Sequence, residues 1–274
     1  MALLCILVSL LGALVVMLSE SPLVVWLGLE LNLFGLAPLL GVFIMRYYFV
    51  QMLGSLSFLV GWALGSGGVL SIVGICVKLG LAPYFVWYLE ALKVVSWISI
   101  FLLATVQKVY LYTLLSGGWV VWAAVIVTVL CCLIYGTGEY GDWGDFRWGI
   151  GLLSLLDACV GVPLFYLGVW PFLWYFVVYS LSFGCVLVGT CIGSSVLVGA
   201  ALLSLMGFPL TPLFYFKVSL LSVFLAGGAG GVLLAVCLVV QFLWYFIFFL
   251  RAGGWGVVYG GVVMWSVWLV GVCI

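Results

Sequence analysis

Val77-Lys78-Leu79-Gly80-Leu81-Ala82-Pro83-Tyr84-Phe85 sets a lysine inside an apolar segment and breaks that segment with a Gly-x-x-Pro step. A charge at mid-helix in hydrocarbon costs on the order of 2.5–3.5 kcal/mol on insertion scales. Proline removes the backbone N–H that a helix interior needs. A lysine carried at that cost beside a helix break points to a polar path through an apolar chain.

The surrounding composition makes the chain a membrane protein. Of 274 residues, 69% are hydrophobic and 5% charged, and the mean hydropathy is +1.52. That leaves too little polar surface to cover a water-soluble globule. Apolar runs of about twenty residues follow one another with short gaps, the length a helix needs to cross a hydrocarbon layer roughly 30 Å thick. Residues 1–18 are apolar and lack arginine, so they read as a spanning helix rather than a transit peptide. The nine cysteines form no C-x-x-C framework and the chain has no histidine, which argues against a structural zinc or haem site. Phe, Val, Gly, Trp, Cys and Leu abound, while Asn32 is the one asparagine and Gln, Lys, Pro and Thr are scarce. Such usage fits a gene on a T/G-rich strand, as in compact organellar genomes. It discounts arguments from the 14 tryptophans and 36 glycines and adds weight to the lysines.

The reading predicts an all-α polytopic protein with about eleven transmembrane helices: 2–18, 22–44, 48–64, a split fourth span 69–81 and 83–92, 95–115, 119–135, 148–168, 170–191, 195–226 with a break near Gly207-Phe208-Pro209, 230–250 and 255–273. The most polar connection is 136–147, with Glu139, Asp142, Asp145 and Arg147. Arg46, Lys93, Arg147 and Arg251 follow spans two, four, six and ten, all on the side of the N-terminus. The positive-inside bias makes that side cytoplasm or matrix, with the C-terminus opposite.

The broken spans are the fourth and the ninth, five apart. That spacing suggests one antiporter-like transmembrane domain, 1–274, built from two inverted five-helix repeats, about 1–116 and 117–251, and a final helix at about 255–273. Gly/Pro-interrupted helices at matching positions mark transport paths in such repeats. Gly80, Pro83, Gly207 and Pro209 are the helix breaks. By helix order Lys78 corresponds to Lys217, and Glu30 to Asp157.

Five ionisable residues fall inside spans: Glu30, Lys78, Lys108, Asp157 and Lys217. Glu30 and Lys78 read either as a buried ion pair fixing span two against span four, or as a pair whose carboxylate tunes the proton affinity of the lysine. Lys108 lies deep in span five, too far from either end to snorkel easily, with Thr105 and Tyr112 at helical spacing on its face. Lys217 follows the break in span nine, where unpaired carbonyls must face protein or water. It reads as a terminal proton-accepting site or a structural charge. Asp157 is a lysine partner, and so an additional relay group, or a polar packing residue.

At these residues the sequence resembles the chain 2 family of NADH:ubiquinone oxidoreductase, respiratory complex I, in its short animal mitochondrial form. Trp26-Leu27-Gly28-Leu29-Glu30-Leu31-Asn32 with Pro38 resembles the family's W-x-G-L-E-x-N…P segment. Lys78 to Trp87, with Glu90, resembles K-L-G-x-A-P-F-H-x-W…P-E, and Gln107-Lys108 resembles W-Q-K. Gly207-Phe208-Pro209 with Lys217 resembles G-L-P-P-x-x-G-F-x-x-K. Tyr88-Leu89 stands in place of the family's proline before Glu90, Val106 replaces a tryptophan, and Leu213 replaces a glycine.

The resemblance implies a proton-translocating membrane-arm subunit in the mitochondrial inner membrane, with its N-terminus on the matrix side. Glu30, Lys78, Lys108 and Lys217 would form a water-linked relay. Flavin, iron–sulfur clusters, NADH and ubiquinone would be bound elsewhere in the complex, so this chain would hold no cofactor and no redox site. Its partners would be the other membrane-arm subunits, including neighbouring antiporter-like subunits, and lipids, with no nucleic acid. A stand-alone cation/proton antiporter of the same fold and a structural scaffold subunit are the alternatives. The antiporter relatives usually carry intramembrane histidines, and this chain has none.

Overall fold

A computed structural model describes residues 2–65, 68–115, 119–137, 146–209, 211–225 and 229–251. The predicted span 255–273 and the loop acids Glu139, Asp142 and Asp145 lie outside the described residues. Every regular element among the described residues is helical. The helices are α1 (Ala2–Leu18), α2 (Pro22–Leu36), α3 (Ile44–Ala63), α4 (Val69–Leu79), α5 (Val86–Val94), α6 (Trp97–Ala104), α7 (Val106–Leu114), α8 (Trp119–Thr137), α9 (Phe146–Leu167), α10 (Val169–Ile192), α11 (Ser195–Met206), α12 (Pro212–Leu225) and α13 (Ala229–Arg251), with a 3₁₀ segment Ala37–Phe43 after α2.

Ten of the predicted spans map onto these elements in order, and the fourth and ninth are broken as expected. Two further interruptions correct the reading. Span two ends its α-helix at Leu36, because Pro38 in the first turn of the following 3₁₀ segment cannot donate; Gly41 at φ 56° then turns the chain. Arg46 consequently lies in the first turn of α3 rather than in a loop. Span five is two helices, divided at Thr105 (φ −115°, ψ −83°). The Thr105 hydroxyl donates to Phe101 O at 2.6 Å, the local back-bonding that lets threonine bend a helix.

Burial runs opposite to that of a water-soluble protein. Leu3, Leu4, Leu11 and Leu18 of α1 and Trp170, Trp174 and Leu181 of α10 stand exposed, while Lys78, Lys108, Asp157, Asn32, Gln51 and Gln107 are buried. Among the described residues, four helical stretches, Pro22–Ala63, Trp97–Leu114, Phe146–Phe165 and Val169–Ile192, are long and apolar enough to cross a membrane, and six shorter apolar helices accompany them.

The chain divides into two compact units, Met1–Val162 and Pro163–Ile274. In the first, α1 packs on α2 and α3 on α4, while α7 touches α1 and α4, and α8 touches α4. The α1–α2 contact is a close approach: a Cβ added to Gly12 would clash with the backbone nitrogen of Asn32. Small residues let helix backbones meet in lipid, where no hydrophobic driving force separates helix from tail. This glycine is thus a packing requirement, whatever the codon bias of the gene. In the second unit α10 packs on α11, and α13 contacts both α11 and α12.

Candidate functional site

The first break is assembled from groups that satisfy one another. Gly80 ends α4 in the left-handed region (φ 70°), where an L side chain is strained. Its N–H donates to Val77 O at 3.2 Å and that of Leu81 to Cys76 O at 2.9 Å, the Schellman pattern. Trp87 Nε1 adds a second donor to Val77 O at 3.2 Å, tying α5 back to α4. Gln51 Nε2 of α3 reaches Lys78 O at 3.4 Å. The Ala82 N–H, carried past the break, donates to Thr128 Oγ1 of α8 at 2.9 Å. The turn closes with Tyr84 N–H on Leu81 O at 3.1 Å, and Ala82-Pro83 is cis.

Lys78 occupies the last turn of α4 and is buried. Its stem lies against Gly54 of α3, where an added Cβ would come within 2.8 Å of Lys78 Cγ. Glu30 of α2 acts on it electrostatically, yet no ion pair joins the two among the described residues. Instead the Ser55 hydroxyl hydrogen-bonds Glu30 Oε1. Glu30 and Lys78 therefore meet as an electrostatically linked pair with a serine on the carboxylate, rather than as a direct ion-pair clamp.

Lys108 sits in the first turn of α7, because of the division at Thr105. It is buried, and its Nζ donates to Ser154 O of α9 at 2.5 Å and lies 5.2 Å from the centroid of the Tyr88 ring. Asp157 of α9, also buried, acts on it electrostatically. The residue read as a lysine partner or a packing group is thus brought to a lysine, Lys108. The Thr105 hydroxyl donates to Phe101 O, and the Tyr112 hydroxyl to Ala158 O at 3.2 Å. Next to Lys108, Gln107 Nε2 donates to Asn32 Oδ1. Asn32 Nδ2 donates to Ser9 O at 2.8 Å, and the Tyr110 hydroxyl lies 2.7 Å from Gln107 Oε1. This buried hub ties α1, α2 and α7 together and fixes the turn that carries Lys108.

The second break repeats the construction. Gly207 ends α11 at φ 75°, with its N–H on Ser204 O at 3.0 Å and that of Phe208 on Leu203 O at 3.2 Å. Thr211 N–H closes the turn on Phe208 O at 2.9 Å. Lys217, buried in α12, donates from Nζ to Leu205 O at 2.8 Å and Met206 O at 3.3 Å, and lies 5.8 Å from the Tyr245 ring centroid. A cation here meets the negative end of the helix dipole. Glycine-on-glycine alignment of the breaks sets Lys217 opposite Glu90, and Lys78 opposite Leu205. The lysines share a broken span but not a position: Lys78 precedes its break and Lys217 follows its own.

Ser55, Gln51, Thr128 and Ser154 contribute to these sites without having been singled out in the sequence, and Tyr88 stood out there only as a departure from the family's proline. Gln51 and Ser55 carried a faint signal, two polar residues four apart in an apolar span. Among the described residues, no group of three or more His, Cys, Asp or Glu is placed to hold a metal ion.

No protein-family model matches the chain. Over 268 residues it is 31% identical to NADH-ubiquinone oxidoreductase chain 2 of Mytilus edulis, an alignment that covers 88% of this chain and 83% of the relative. The chain belongs to the NADH-ubiquinone oxidoreductase chain 2 family. The chain 2 of Molossus ater is 24% identical over 160 residues, half of this chain and 45% of that one. Membership of the chain 2 family agrees with the resemblance carried by Glu30, Lys78 and Lys108. The fold is that of a chain in the respiratory complex I of Thermus thermophilus solved with bound aureothin, with a TM-score of 0.78 at 18% identity over 96% of this chain and 76% of the other.

Proposed function

We propose that the chain is a proton-translocating membrane-arm subunit of mitochondrial NADH:ubiquinone oxidoreductase, moving protons through Glu30, Lys78, Lys108 and Lys217, with Asp157 as a further group. The observation that carries this reading is the pairing of each buried lysine of the first unit with its own buried or half-buried carboxylate, Lys78 with Glu30 and Lys108 with Asp157. A lysine held between burial and a nearby carboxylate can exchange its proton when the carboxylate moves or is neutralised. Lys217 serves as the terminal station, its ammonium held by the carbonyl end of α11.

In this reading the chain has no redox site of its own, and the flavin, iron–sulfur clusters, NADH and ubiquinone belong to other subunits. It assembles with the neighbouring membrane-arm subunits in the inner membrane. The N-terminus faces the matrix and the C-terminus the intermembrane space, in keeping with the positions of Arg46, Lys93 and Arg147.

The test is Lys108→Met in the assembled complex. Proton transfer through this chain should slow by about 100-fold or more, the scale of losing a positioned proton-transfer group, and protons pumped per electron should fall below the wild-type ratio. Unchanged electron transfer and pumping would leave a scaffold role instead. Autonomous cation exchange by the reconstituted chain would favour the stand-alone antiporter.

A further inference from the structure

Tyr88 lies at the junction of the first break and Lys108. It is the third residue of α5, just past the break, and is buried. A Cβ added to Gly80 would come 3.1 Å from Tyr88 Cβ, so the tyrosine packs directly on the hinge glycine. Its hydroxyl is 2.8 Å from Ser154 Oγ. Ser154 Oγ is also 2.8 Å from Gly151 O. A carbonyl only accepts, so the serine hydrogen goes to Gly151 and the phenol is the donor to Ser154. That chain of two donors fixes the tilt of the ring.

The face so fixed lies 5.2 Å from Lys108 Nζ, within the range of a cation–π contact, which is strongest where the cation is desolvated. The residue that anchors the phenol also offers the carbonyl that accepts from Lys108, at 2.5 Å. One side chain therefore touches the hinge glycine at its root, the lysine's charge with its face and the lysine's hydrogen-bond partner with its tip.

We propose that Tyr88 is a positioning residue for Lys108, the side chain through which a displacement at the Gly80 break reaches the Lys108 ammonium. The proposal rests on the relay reading of Lys108. A swing of α5 about the break carries the ring off the ammonium and loosens Ser154 together with it. Lys78, in the last turn before Gly80, and Lys108 are then linked mechanically through one aromatic ring.

The experiment measures protons pumped per electron in the assembled complex for Tyr88→Leu, Tyr88→Phe and Ser154→Ala, with Lys108→Met beside them. Tyr88→Leu removes ring and hydroxyl, and the ratio should fall on the order of tenfold. Tyr88→Phe and Ser154→Ala remove only the anchor, so each should fall about two- to threefold and by similar amounts. Rescue by phenylalanine separates the ring's action from a general packing role. A ratio in Tyr88→Leu no lower than in Tyr88→Phe overturns the proposal. Where the leucine variant yields no assembled complex, Tyr88→Met takes its place. Should that variant fail as well, wild-type ratios in both anchor variants overturn the proposal, and matched losses support it. Normal pumping by Lys108→Met would instead overturn the relay reading; loss there with normal pumping in Tyr88→Leu would remove only the role of Tyr88.

Discussion

The breaks at Gly80 and Gly207 end their helices by the same hydrogen bonds, yet they compensate the freed carbonyl at matching positions with different groups. At the first break Lys78 O takes a neutral amide, Gln51 Nε2. At the second break, Leu205 O takes the ammonium of Lys217. The second lysine is thus held by the helix end it caps, whereas Glu30 acts electrostatically on the first. Proline placement differs by one residue as well. Ala82 presents an N–H that Thr128 must accept, while the residue at the same distance from the second glycine, Pro209, has no N–H to satisfy. A shared backbone design therefore supports two lysine environments, one responsive to a carboxylate and one tied to backbone.

The largest expected difference between the breaks is in alanine substitution of the two glycines. Gly80→Ala combines a left-handed penalty of about 1–2 kcal/mol with overpacking of about 1–3 kcal/mol, because the new methyl meets the immobile Cβ of Tyr88. Gly207→Ala meets the flexible Lys217 Cδ at 3.1 Å, so only the backbone penalty of about 1–2 kcal/mol should remain. Thermal loss of assembled complex in mild detergent should rank Gly80→Ala as the less stable, and the reverse order would break the comparison. Thr128→Val strands the Ala82 N–H, at a cost of about 1–3 kcal/mol. By the same assay it should fall between the two glycine variants, and wild-type stability would mean that another acceptor serves the first break.

The parts of this arrangement that were legible in the sequence are those that hydropathy penalises. Lys78, Lys108 and Lys217 stand out in a chain that is 5% charged, and Gly80-Pro83 and Gly207-Pro209 mark breaks because glycine and proline change the backbone itself. The division at Thr105 was not legible, since a threonine in a helix bends it only when its hydroxyl turns back onto the carbonyl of the preceding turn, here Phe101 O. Ser55 and Ser154 were hidden for a different reason. Their roles come from helices that are distant in sequence, with Ser55 meeting a carboxylate 25 residues away and Ser154 a lysine 46 residues away. Tyr88 stood out only as a departure from the family's proline; its contacts with Gly80 and Ser154 were masked by composition, as one of 14 tyrosines in a chain that is 17% aromatic.

The central claim is that the lysine beside the first break carries protons. It is tested most directly by the proton-to-electron ratio of the assembled complex carrying Lys78→Met, measured in sealed inner-membrane vesicles with NADH as donor. The account predicts a ratio below wild type, because proton transfer through this chain slows by about 100-fold or more, with the complex still assembled. An unchanged ratio in a fully assembled complex would contradict it.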